Sequence, residues 1–90
     1  MLRFEYTGVT HTGALFSGGC LIRMMNLPAT TLCSLQVHVL LEEEDLHLGV
    51  KYIPLPLARL WLKNAKGRKN EKQYVRDQVL LYVADLLVKA

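Results

Sequence analysis

Ninety residues, of which 51% are apolar and 21% charged, make one folded domain and exclude both a disordered segment and a two-domain protein. The net charge of +3 is local: residues 63–72, KNAKGRKNEK, hold five basic residues against Glu71, while Glu42-Glu43-Glu44-Asp45 set four acids in a row. The longest uninterrupted apolar run, Val79 to Ala84, is far too short to span a bilayer.

The N-terminal MLRFEYTG carries Arg3 and Glu5 and lacks an apolar h-region, so no secretory signal is expected and a cytoplasmic location follows. Cys20 and Cys33 stand thirteen apart without a CxxC pair, too few for a disulfide scaffold, and are expected to be buried thiols.

Residues 2–7, LRFEYT, alternate apolar and polar and predict a strand with one wet face. GVTHTG then turns the chain between Gly8 and Gly13. The runs Ala14–Ser17 and Cys20–Met25 both suit a strand, with Gly18-Gly19 as a bulge or bend between them. Asn26-Leu27-Pro28 breaks the run. The stretch 29–45 admits two readings: a helix with Thr30, Thr31, Ser34, His38, Glu42 and Asp45 on its polar arc, or a strand in which Cys33, Leu35, Val37, Val39 and Leu41 share a face.

Two arguments favour the strand. Four acids at a helix C-terminus oppose the macrodipole. Residues 46–53 also alternate, so the two runs match as a hairpin across the acidic tip. One register sets Val39 against Val50 and Val37 against Tyr52 on the buried side, with Glu42 opposite His47; a slip of two residues fits equally well.

Pro54-Leu55-Pro56 ends the sheet, and Pro56 suits the first turn of a helix over 56–66, closed by Gly67. Asn70 is a good N-cap for a final helix over 70–89. In that helix Val75, Val79, Tyr82, Val83 and Leu86 form the main apolar stripe, but the polar stripe of Glu71, Gln78 and Asp85 is narrow. Leu80, Leu81, Leu87 and Val88 are therefore expected at an interface with a second chain. Arg59, Lys63, Lys66, Arg68, Lys69, Lys72 and Arg76 form a candidate basic ridge across the corner between the two helices, of the kind that attracts phosphate. Charge complementarity also allows the acidic tip of one subunit to dock on the basic corner of another.

Catalytic motifs are weak. Gly13 and Gly18 have the spacing of a P-loop, but Gly19 stands where its lysine belongs. His11, His38 and His47 are scattered, with no HExxH; His38, Glu42 and His47 could converge on the outer hairpin face and bind a metal weakly. No catalytic residue, cofactor or dedicated metal site is assigned.

The expected fold is α+β: an antiparallel sheet of about four strands over residues 2–54, packed by two C-terminal helices, 56–66 and 70–89, in a single domain 1–90. The expected function is that of a small soluble, non-enzymatic interaction module that self-associates through the C-terminal helix, as a homodimer or as a subunit of a complex, away from membranes. The second reading is a nucleic-acid-binding accessory protein using the ridge at 59–76.

Overall fold

A computed structural model describes residues 1–26 and 31–88. The α+β architecture is present: a four-stranded antiparallel sheet in the order β2-β1-β3-β4, with its helices packed on one face. The break expected at Asn26-Leu27-Pro28 falls mostly outside the described residues, and Lys89 lies wholly outside them.

Strand β1 (Leu2–Thr10) buries Phe4 and Tyr6 and turns Arg3, Glu5 and Thr7 away, as the alternation of 2–7 predicts, and runs on past that stretch to the buried Gly8 and Thr10. The first turn is held by its threonines. The Thr10 hydroxyl accepts from the Ala14 backbone N–H at 3.1 Å and lies 2.9 Å from the Thr12 hydroxyl, while Gly13 supplies the positive φ of 86°. Gly8 lies inside β1 and not at the turn. A Cβ there would stand 2.7 Å from a Leu32 methyl, so a glycine lets the two approach.

Strand β2 (Leu15–Gly18) returns along residues 6–9 of β1 and stops. The expected second strand segment, Cys20–Met25, is instead a short helix, α1 (Leu21–Met25). Leu21 and Met24 are buried and Ile22 and Met25 half-buried, a spacing of three and four that closes the core beneath β1 and β2.

The stretch read two ways is a strand where it is described: β3 (Leu32–Leu41) pairs with β1 on one side and β4 (Leu46–Tyr52) on the other. Leu35, Val37 and Val39 lie at the centre of the sheet and are 0–1% exposed. The acidic tip is one 3-10 turn (Glu42–Glu44), after which Asp45 takes the left-handed conformation at φ 49°.

The hairpin register begins at the tip as the two-residue slip and then leaves both readings of the sequence. Leu40 pairs with His47 but Val39 pairs with Gly49, so Leu48 is an extra residue, a β-bulge. One inserted residue reverses the faces of all that follows. Val50 and Tyr52 are opposite His38 and Gln36 on the open face, and Gly49 and Lys51 face the helices.

Helix α2 (Leu55–Ala65) has Pro56 in its first turn and buries Ala58, Trp61 and Ala65, leaving Arg59 and Lys63 in water. Gly67, at φ 88°, follows the Lys66 C-cap as expected. Asn70 caps helix α3 (Glu71–Tyr82), its side-chain oxygen accepting from the Gln73 N–H at 3.0 Å.

The long final helix is broken. Val83, with φ −100° and ψ 12°, separates α3 from a short α4 (Ala84–Val88). The break coincides with a tertiary contact. Lys51 reaches from β4 to the end of α3, donating to the Tyr82 carbonyl at 3.2 Å and to Asp85 at 2.6 Å. A cation at a helix C-terminus satisfies a carbonyl left without an intrahelical partner and complements the dipole. Beyond it Leu86 settles on Gly49, where a Cβ would stand 3.0 Å from a Leu86 methyl.

Candidate functional site

The four leucine and valine positions expected at an interface divide in two. Leu80 and Leu87 are half-buried against the core, so they complete the fold. Leu81 and Val88 project outward and are 72% and 86% exposed. Leu60 on α2 is also exposed.

The basic ridge is real as a charge cluster but is not one continuous face. Arg59, Lys63, Lys66, Lys69 and Lys72 are exposed. Arg68 is exposed too, but its guanidinium stacks on the Tyr74 ring at 4.1 Å and its Nε donates to the Asn64 carbonyl at 2.8 Å. Arg76 is half-buried, lies over the Phe4 ring at 4.8 Å and donates to the Leu2 carbonyl at 2.9 Å. Two of the seven therefore serve the fold as well as the surface. None of the seven is ion-paired among the described residues.

The acidic tip stands at the far end of the β3–β4 hairpin. Glu43 pairs with the Met1 ammonium, and Glu42, Glu44 and Asp45 are exposed.

A cleft of about 290 Å³ opens where β2 ends, between β1, α1 and α3. Its floor is Phe4, Leu21 and Val75, and Tyr6, Lys72 and Arg76 bring polar groups to it. Burial pushes the Tyr6 phenol far above its ordinary pKa, opposed by the Arg76 charge, so it stays neutral. Cys20 separates this cleft from a second hollow lined by Phe16, Arg23 and Met24. Among the described residues no histidine or carboxylate lines either one.

The expectation of two buried thiols is corrected: Cys20 is half-buried and Cys33 exposed, and both are free. Cys33 lies at the end of β3 with its Sγ 3.5 Å from the Thr10 carbonyl, on a strand whose pairing with β1 is irregular at Val9 and Thr10.

His38 and His47 do meet on the open face, His38 Nδ1 lying 3.4 Å from His47 Nε2. Glu42 does not join them, because the 3-10 turn carries it out of the strand. Among the described residues no three His, Cys, Asp or Glu side chains gather as a metal site. The bulge that joins the histidines diagonally had no signal in the alternating pattern. Comparison with protein-family models, curated proteins and solved structures returned no match to this chain.

Proposed function

We propose that this chain is a small non-enzymatic interaction module that pairs with a second copy of itself through the outward side of α3 and α4. The observation that carries the reading is the exposure of Leu81 and Val88, at 72% and 86%, on helices whose other side packs on the core. Pairing by strand addition is the competing route, and the sheet edges oppose it. The β4 edge carries the Leu48 bulge and the inward Lys51, and β2 has only four residues. At the edge of β1 beyond β2, Arg76 occupies the Leu2 carbonyl.

Charge supports a second copy as the partner. One chain carries an exposed acidic turn at 42–45 and an exposed basic corner at 63–72, so a two-fold pair that sets one against the other makes the contact twice. Exposed ion pairs contribute about 0–1 kcal/mol each, so they orient the pair more than they bind it. Two free thiols suit a reducing compartment such as the cytoplasm, and no described helix is long and apolar enough to cross a membrane.

Hydroxyl-radical footprinting at rising protein concentration tests the surface. Leu81 should lose reactivity while Tyr52 on the open sheet face keeps its own. Loss at Tyr52 with Leu81 unchanged would move the interface to the sheet and end this reading.

A second reading rests on a separate observation: among the described residues none of the seven cations at 59–76 is ion-paired. Under it the corner binds nucleic-acid phosphates without reading sequence. Fluorescence anisotropy with duplex DNA should then show affinity falling with salt, with a log–log slope of roughly −4 if four or five phosphates are neutralised. Lys66→Glu, Arg68→Glu and Lys69→Glu together should abolish binding. No binding at low salt contradicts the reading.

A further inference from the structure

We infer that His38 and His47 form a two-point chelate for a divalent d-block cation (zinc, nickel or copper) on the open face of the sheet. The bulge at Leu48 creates the geometry. It shifts β4 by one residue, so His47 stands opposite Leu40 and comes diagonally against His38, two residues along β3. Both rings lie on the face that no helix covers, His47 exposed and His38 half-buried.

The separation of the ring nitrogens is that of a long hydrogen bond and also fits a bridging metal. Good N–H···N contacts fall at 2.7–3.2 Å, as for N–H···O. His38 Nδ1 and His47 Nε2 are 3.4 Å apart, with ring planes inclined at 49°. Two zinc–nitrogen bonds of 2.0–2.1 Å at a tetrahedral angle span about 3.4 Å. A cation bridging the two nitrogens thus fits the separation as it stands, and a small rotation of either ring aims its lone pair. Imidazole pairs suit zinc, copper and nickel better than magnesium or calcium, which want oxygen.

The surroundings suit a partly hydrated ion. Glu5 on β1 stands directly opposite His38 on the same face and is only loosely tied to Arg3, at 3.6 Å. An open hollow beside His38, lined by Glu5, Thr7 and Ser17, leaves room for the waters that complete the shell. The ion ties β3 to β4, the edge strand, and so stabilises the hairpin that carries the acidic tip.

The chain supplies its own controls. Nickel chloride titrated into the full chain by calorimetry should saturate at one ion per chain. His38→Ala and His47→Ala should each weaken binding about a hundredfold or more, since loss of an outer-shell partner alone costs 10–100-fold. Glu42→Gln should bind as the parent does. In proton spectra nickel should broaden the ring signals of His38 and His47 and leave those of His11, at the β1–β2 turn, sharp. Absence of uptake, unchanged affinity in either histidine variant, or equal broadening of His11 overturns the inference.

Discussion

Replacing Trp61 with alanine is expected to remove a large share of the stability of this domain. Trp61 is 6% exposed at the centre of α2 and meets Tyr82 edge-on, ring centroids 5.9 Å apart and planes inclined at 70°. It is the largest side chain between α2 and α3, beside the small buried Ala58 and Ala65, which cannot expand to fill its place. Truncating a buried Trp costs about 3–5 kcal/mol. A domain of this size has roughly 5–13 kcal/mol in total, at the usual 0.05–0.15 kcal/mol per residue. Urea denaturation followed by circular dichroism should show the midpoint fall by about a quarter or more. A loss under about 1 kcal/mol would mean that the helices do not pack on the sheet through this residue.

The second large effect falls on assembly with the fold left intact. Leu81→Glu with Val88→Glu should dissociate the self-pair while changing the stability of the single chain by less than about 0.5 kcal/mol, the usual effect of surface substitutions. Fully burying an aliphatic side chain is worth about 1.5–3 kcal/mol. A two-fold interface uses each position twice, so affinity should fall by at least about a hundredfold. Leu80→Glu makes the contrast: Leu80 packs on the core, and a charge there should unfold the chain whether or not it pairs. If the double variant also unfolds the monomer, Leu81 and Val88 are core residues and the interface lies elsewhere.

The parts of the fold that were legible in sequence are those set by local patterns. Alternation located β1 and β3, a proline opened α2, and Asn70 capped α3. The misreadings share a different cause, because each depends on a contact distant in sequence. Cys20–Met25 has strand-like residues, yet Leu21 and Met24 turn into a helix to close the core under two strands. The β4 faces reversed because one unpaired residue, Leu48, leaves no trace in a run that alternates smoothly. The final helix breaks at Val83, where Lys51, thirty-one residues before Tyr82, reaches the Tyr82 carbonyl.

The candidate surfaces show the same division. The basic cluster and the excess of apolar residues at the C-terminus were readable from composition along the chain. Which of those residues are spoken for was not. Arg76 is turned to Phe4 and Leu2, Arg68 to Tyr74, and Leu80 and Leu87 to the core, leaving Leu81 and Val88 outward. The histidine pair depends on the bulge, and alternation placed His38 and His47 on one face without bringing them within 3.4 Å.

Self-pairing through α3 and α4 is the central claim, and sedimentation equilibrium tests it most directly. The native chain should show a mass rising with concentration from 10.2 kDa toward twice that value, while the Leu81→Glu, Val88→Glu variant stays at 10.2 kDa throughout. A native chain that remains at the monomer mass up to its solubility limit, or a variant that pairs as the native chain does, would contradict it.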